Sequence, residues 1–401
     1  MSVFSVLEAV FWLSVVALIY TYAGYPVLLI IASWVRSRPV LRKPFEPVVS
    51  VIIAAYNEEA DIAAKLENTL ALDYPKSKLE IIVASDCSTD RTDEIVRTFA
   101  ARGVILHRQA ERLGKTAAQN SAVERARGDI VLFSDATTIY QPDVLLRMLP
   151  SFADPSVGCV TGTVIYKEQG KSTVGRGTSS YWNYEFMLKK YEGSLSSLIG
   201  VCGCMYAVRK SAYIPLYNEA CSDFVIATVM VKQQLRAVFE PEAICSEEPN
   251  LQAHKEMGVR VRIAAQTLAD LWRNRDVLNP VNYGFYSFQL LSHKVFRYLA
   301  PLFLILAFIS SGALALTKPL YAVAFIVQCL IYAVAGIGWL IERAGVSTRW
   351  IAVPQYFVVG NLASLIALGQ LLRGERYIRW EPVRSKPTGN TSTHEVISRQ
   401  V

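Results

Sequence analysis

Histidine is scarce and paired cysteines are missing: the 401 residues hold four histidines and seven cysteines, with no C-x-x-C pair. Cys202 and Cys204 stand one residue apart without a partner pair or a nearby histidine, so a zinc site of the usual spacing is not expected. Reduced, mostly buried thiols are the expectation instead. Two phosphate-binding loops are also absent. No G-x-x-x-x-G-K-[ST] occurs, and no G-x-G-x-x-G follows the first apolar strand, which removes the main support for P-loop and dinucleotide chemistry. Gly114-Lys115-Thr116 lacks the upstream glycine but opens a helical stretch, where the lysine either meets phosphate or is simply solvated. Charge is sparse as well, 19% of residues against 52% hydrophobic, which is too apolar for an ordinary soluble protein. The net charge of +7 gathers beside the apolar runs and forms no basic stripe in the centre of the chain, so nucleic acid is not an expected partner.

What is present in excess is long apolar sequence. Ala9–Val35 carries no charge and is long enough to cross a hydrocarbon core of about 30 Å. A signal peptide is the competing reading, but the run is too long and no basic segment precedes it. Leu299–Thr317, Leu320–Ile341 and Trp350–Leu372 satisfy the same length criterion. The expected organisation is an N-terminal membrane anchor over 1–46, a folded domain over 47–255, interfacial amphipathic helices over 256–298, membrane helices over 299–373 and a polar basic tail over 374–401. Arg36, Arg38, Arg42 and Lys43 follow the first run directly, which places the central domain on the cytoplasmic side of a cell membrane. Lys294 and Arg297, and then Arg343 and Arg349, agree with that side. The tail conflicts: three full crossings put Arg373, Arg376, Arg379 and Arg384 outside, unless the last run, with Pro354, Gln355, Gly360 and Asn361, is bent or re-entrant. Trp272, Tyr283, Phe285, Tyr286, Phe288 and Tyr298 alternate with Arg273, Arg275, His293 and Lys294, a mixture suited to a membrane surface. His293 stands alone there and is assigned no catalytic role.

In the central domain, Val48–Ala55, Leu79–Ala84, Val104–His107 and Ile130–Phe133 are apolar runs of strand length. Helical spacing separates them at Asp61–Ala71, Asp90–Ala101 and 115–127. This alternation predicts an α/β fold with a parallel sheet, whose ligands bind beyond the carboxyl ends of the strands. Polar clusters occupy those ends: Tyr56-Asn57-Glu58-Glu59, Ser85 to Asp90, and Ser134-Asp135-Ala136-Thr137. Singly, each carboxylate has a plain use as a helix cap or first-turn acid. Together on one rim they suit a cation or sugar crevice.

VSVIIAAYNEEADI, IIVASDCSTDRT, RLGKTAAQNSA and GDIVLFSDATT resemble, in order and spacing, the donor-binding half of membrane-bound family 2 glycosyltransferases. LIGVCGCMYAVRK, CSDFVIATVMVKQQLRAVFEPEA and VRVRIAAQTL continue the likeness, which is to the bacterial exopolysaccharide type and, more distantly, to hyaluronan and cellulose synthases. The resemblance implies a GT-A nucleotide-sugar-binding domain, Rossmann-like, flanked by transmembrane helices. It implies donor contacts from Tyr56, Glu58, Asp86, Lys115 and Arg262, a metal site for Mg2+ or Mn2+ at Asp135 and Thr137, and Asp223 as general base. Arg260 lies two residues from Arg262, and on a helix the pair cannot face one point. The pattern is also broken in places. Ser85 stands for the first acid of D-D-x-S, Ala55 for a common proline, Thr137 for the second acid of D-x-D, and Ser222 for the first acid of the catalytic pair. The glutamine and tryptophan of Q-x-x-R-W are gone, which weakens a processive reading.

The reaction the resemblance implies is inverting transfer from a nucleotide sugar, a UDP-sugar first, to a polysaccharide or lipid-linked acceptor at a lipid membrane, with polysaccharide-export partners as further candidates. A carboxylate must take the acceptor proton, and positive charge must meet the departing diphosphate. A glycolipid synthase acting on ceramide or diacylglycerol, and a catalytically inactive assembly subunit, are the alternatives; the lost acids motivate the second.

Overall fold

The computed structural model describes residues 2–166, 173–247, 253–343 and 352–375. Its centre is an eight-stranded sheet in the order β3-β2-β1-β4-β7-β6-β8-β5. The strands are β1 Val49–Ala55, β2 Leu79–Ser85, β3 Val104–Arg108, β4 Ile130–Asp135, β5 Ile139–Tyr140, β6 Val157–Tyr166, β7 Met205–Arg209 and β8 Arg236–Glu247. The helices begin with α1 Val3–Ile19, α2 Tyr25–Val35, α3 Ile62–Leu70, α4 Thr92–Thr98, α5 Lys115–Arg125, α6 Val144–Met148 and α7 Thr173–Leu195. They continue with α8 Ser222–Lys232, α9 Ala253–Arg273, α10 Pro280–Tyr283, α11 Phe285–Leu290, α12 Phe296–Leu314, α13 Pro319–Arg343 and α14 Ala352–Leu372.

β1 to β4 pair in parallel, as the alternation of apolar runs and helical stretches predicts. β7 then runs antiparallel to β4 and to β6, while β6 and β8 are parallel. Every residue of β1 is buried because both faces of the sheet are covered. Alternation divides the strand: Val49, Val51, Ile53 and Ala55 join one core with Ile62, Leu66 and Val96, whereas Ile52 joins the other with Ala118, Ala122 and Ile226. Each fully buried aliphatic side chain contributes about 1.5–3 kcal/mol. Because β2 and β4 lie on opposite sides of β1, the chain reverses its winding there, and a crevice opens at the carboxyl ends of β1 and β4.

Among the described residues, four helical stretches are long and apolar enough to cross a membrane by length and composition: Val3–Val35, Phe285–Leu314, Pro319–Ile341 and Val353–Leu372. The second begins at Phe285, earlier than the sequence reading at Leu299, because α11 and α12 join through a π-helical turn at Leu291–Val295. The aromatic residues expected to lie at the membrane surface therefore include the start of this helical run. α1 and α2 join through another π turn at Tyr20–Gly24. Pro26 lacks the N–H that would bond the Tyr22 carbonyl, and the Tyr184 hydroxyl donates to that carbonyl instead at 3.3 Å. Of the basic residues flanking the last run, Arg349, Arg376, Arg379 and Arg384 lie outside the described residues.

The membrane-length helices are tied to the domain by a buried polar knot. Tyr25 donates to Glu192 at 2.6 Å, His293 Nδ1 lies 2.8 Å from the same Glu192 oxygen, and Arg297 pairs with Glu185. His293, to which the sequence assigned no catalytic role, thus sits between two carboxylates. All seven cysteines are free; Cys202, Cys204 and Cys245 are buried, with Cys204 and Cys245 sulfurs 4.0 Å apart.

Candidate active site at the strand ends

β1 ends by turning sharply. Asn57 adopts a left-handed conformation, φ +54°, which asparagine tolerates better than most residues. Its backbone N–H donates to Ser88 Oγ at 3.1 Å, and its side-chain oxygen accepts from the Thr89 N–H at 2.7 Å. The ends of β1 and β2 are therefore laced together. Glu58 is buried, with its N–H donating to Thr92 Oγ1 at 2.7 Å. Tyr56 lies under the Arg112 guanidinium, 3.8 Å from the ring centre, a cation–π stack.

After β2, the buried Asp86 carboxylate accepts the N–H groups of Leu113 and Gly114 at 2.8 and 3.0 Å. This fixes the turn into α5, where Gly114 has φ +95°, a conformation open to glycine and strained for other residues. Lys115, the next residue, is thereby aimed across the sheet. It forms an ion pair with Asp135 at the end of β4, and its ammonium donates to the Gly203 carbonyl at 3.2 Å. Burial works to lower its pKa, but the carboxylates of Asp135 and Asp223 outweigh burial and hold it above the ordinary lysine value.

Asp223 lies in the first turn of α8, a favourable place for an acid at a helix N-terminus. Its position is more specific than a cap. Gly203 leaves the space in which the carboxylate lies, since a Cβ on that glycine would stand 3.1 Å from Asp223 Oδ2. The Cys221 thiol donates to Oδ1 at 2.9 Å. Lys115, Asp135 and Asp223 thus meet in one neighbourhood, from three separate stretches of chain. Thr137 is exposed at the loop after β4, next to the fully buried Thr138. Arg262 is half-buried on α9, a helix that packs Ala264, Ala265 and Leu268 against Ala367 of α14. Arg260 stacks 4.1 Å from the Tyr356 ring on α14, so the two arginines point apart, as a spacing of two on a helix requires.

Several residues around the site carry no signal in the linear pattern. Ser85, the serine in place of an acid, donates to Asp93 at 2.6 Å, so a carboxylate from α4 stands beside it. Asp270 of α9 accepts the Cys221 N–H at 2.8 Å and the Tyr217 hydroxyl at 2.5 Å. Burial pushes Asp270 up to about 7, against the pull of those two bonds. Glu247, at the end of β8, accepts from Thr138 Oγ1 at 2.6 Å. Asp270 and Glu247 were hidden because their partners are distant in sequence, and Asp93, eight residues from Ser85, because only the folded turn into α4 brings it back to the strand end.

Residues 50–217 match the family described as Glycosyl transferase family 2. Hyaluronan synthase of Streptococcus pyogenes is 30% identical over 185 residues, 44% of each chain. Poly-beta-1,6-N-acetyl-D-glucosamine synthase of Staphylococcus aureus is 26% identical over 233 residues, 57% of this chain and 52% of that one. The matched region spans about half the length of these curated relatives. Among solved structures, a mannosyltransferase from Pyrobaculum calidifontis, in complex with GDP-Man and Mn2+, superposes with a TM-score of 0.67 at 24% identity, over 90% of this chain and 99% of that one. That likeness establishes the fold.

Proposed function

We propose that this chain is a family 2 glycosyltransferase of the GT-A fold, which transfers a sugar, with inversion, from a nucleoside-diphosphate donor, the UDP form first, to a saccharide or lipid-linked acceptor at the cytoplasmic face of a membrane. The observation that carries this reading is the meeting of Lys115, Asp135 and Asp223 at the carboxyl ends of the central strands. Relatives named as synthases of hyaluronan and poly-N-acetylglucosamine support a polysaccharide product. The four apolar helices and the basic residues after the first support a membrane-bound enzyme with its domain on the cytoplasmic side.

In this reading Tyr56, Glu58 and Asp86 line the nucleotide end of the crevice. Asp86 does so while holding the turn that aims Lys115. Lys115 is poised to exchange its ion pair with Asp135 for the donor's diphosphate, and Arg262 adds a second positive group on the α9 side. Asp223 takes the proton from the acceptor hydroxyl as the new glycosidic bond forms and the diphosphate leaves. Its carboxylate is held on one oxygen by Cys221 and lies in the space left by Gly203, so its orientation is set before substrate arrives.

The Asp135 carboxylate and the Thr137 hydroxyl are hard oxygen donors, which fits Mg2+ or Mn2+. Asp135, with Thr137 beside it in the loop, would hold that ion. Such an ion, when bound, neutralises charge on the departing diphosphate. The mannosyltransferase that shares this fold was solved with Mn2+, which is compatible with that choice.

A panel of nucleotide sugars offered to the purified chain in detergent, with product masses read out, tests the reading. Turnover with a UDP-sugar that stops in EDTA supports it; no turnover with any donor favours an inactive assembly subunit, and a ceramide or diacylglycerol product favours a glycolipid synthase.

A further inference from the structure

We propose that Glu247 is the second protein carboxylate of the cation–diphosphate site, reaching it through space where the sequence after β4 offers only Thr137. The inference rests on the donor-site reading above and adds a residue to it. Its geometry begins with a short strand pair. β5 runs antiparallel to the end of β8, with Ile139 opposite Ser246 and Tyr140 opposite Cys245. That register lays the residue after Ser246 against the residue before Ile139. Glu247 Oε1 accordingly accepts from Thr138 Oγ1 at 2.6 Å.

Thr138 is a firm support for this contact. It is fully buried, and its carbonyl accepts from the ammonium of Lys65 at 2.7 Å. Lys65 is itself fully buried, with its nitrogen 3.5 Å from the centre of the Tyr140 ring. A lysine in such a place is costly unless its charge is used, and burial pushes it down to about 7 against the pull of surrounding acids that include Asp135 and Glu247. Lys65 thus holds the loop after Asp135 at Thr138, and Thr138 in turn holds Glu247.

Charge around the site is unbalanced in the direction a cation would correct. Lys115 feels both Asp135 and Asp223, and Glu247 feels both Asp135 and Lys115. Asp135 Oδ1 is buried, and the Lys115 ammonium forms an ion pair with it. Two lysines, Lys115 and Lys65, therefore face three carboxylates, Asp135, Asp223 and Glu247. Among the described residues no three histidine, cysteine or acidic side chains converge on a single point. The protein then supplies two carboxylates at most, and donor phosphate and water complete the shell, the usual arrangement for Mg2+ and accessible to Mn2+.

The test titrates Mn2+ into the purified full chain in detergent, with and without UDP, following free Mn2+ by electron paramagnetic resonance. Asp135→Asn should abolish UDP-dependent Mn2+ binding. Glu247→Gln should weaken it by at least about tenfold while UDP binding in EDTA stays unchanged. Thr138→Val, which keeps the carboxylate but removes the hydroxyl that aims it, should weaken Mn2+ binding by less than Glu247→Gln does. Unchanged Mn2+ affinity in Glu247→Gln, with the Asp135→Asn loss intact, overturns the role of Glu247 and leaves the donor-site reading standing. Equal UDP loss in EDTA also overturns it, because the residue would then be only structural. If Glu247→Gln fails to fold, Thr138→Val decides, and unchanged affinity there counts against the proposal. No effect from Asp135→Asn removes the cation site itself.

Discussion

Gly203 has no side chain to place, yet a Cβ there would stand 3.1 Å from Asp223 Oδ2 and 3.4 Å from its Cβ. Gly203→Ala should therefore tilt the carboxylate and lower kcat by on the order of 10-fold to 100-fold, with a smaller change in donor KM, as measured with the best donor of the panel. Asp223→Asn should abolish transfer and spare UDP binding; retained activity would remove the base assignment. Thr137 is exposed, whereas Asp135 is paired with Lys115. Thr137→Ala should accordingly be milder than Asp135→Ala in the Mn2+ dependence of transfer. Equal and total losses in both variants would show that the threonine carries more than its exposure suggests. The acids missing from the motifs look different in three dimensions. Ser85 has Asp93 within a hydrogen bond, and the loop after β4 has Glu247. Rim residues such as Tyr56, Glu58, Asp86 and Asp135 were readable because parallel strands deliver their ends to one edge. Asp93 and Glu247 were not, because nothing in a linear pattern says which side chain, near or far along the chain, fills the space beside a lost acid.

At the scale of elements, α9 ties the first turn of α8 to the membrane-length helices. Its Asp270 holds the Cys221 N–H two residues before Asp223, while its small side chains pack on α14. Asp270 is raised to about 7 in the fold, from an ordinary value of 3.8. An acid raised in this way binds its proton more tightly folded than unfolded. Its contribution to stability is therefore greatest near and below pH 4, declines as pH rises through the window from about 4 to 7, and is lost above 7. Asp270→Asn should flatten the fall in thermal midpoint between pH 5 and 8, and an unchanged slope would remove Asp270 as its source. The sequence marks α9 only as part of a helical stretch beside the apolar runs. Its role depends on contacts to α8 and α14 that only the folded chain brings about. By contrast β1 to β4 and the helices between them followed directly from apolar runs and helical spacing, since buried parallel strands leave that signature.

Over the whole molecule, the sheet domain and the apolar helices are joined by charge as well as by packing. His293 lies between Glu192 and Glu185, and both carboxylates are buried. His293→Ala would leave these carboxylates short of a partner and should cost about 3–5 kcal/mol, read as a lower thermal midpoint of the purified chain in detergent. An unchanged midpoint would mean that Arg297 and Tyr25 satisfy the pair alone. Composition and run length alone determined that apolar helices flank a folded domain, because a hydrocarbon core demands uninterrupted apolar sequence of a set length. Apolar periodicity likewise determined the parallel half of the sheet and the rim on which polar residues gather. Tertiary structure decided the rest: the mixed half of the sheet that returns β8 to the site, the carboxylates beside the degraded motifs, and the polar knot around His293. These depend on pairings between residues far apart in the chain, and the energy of such a pairing exists only after the intervening segments have folded.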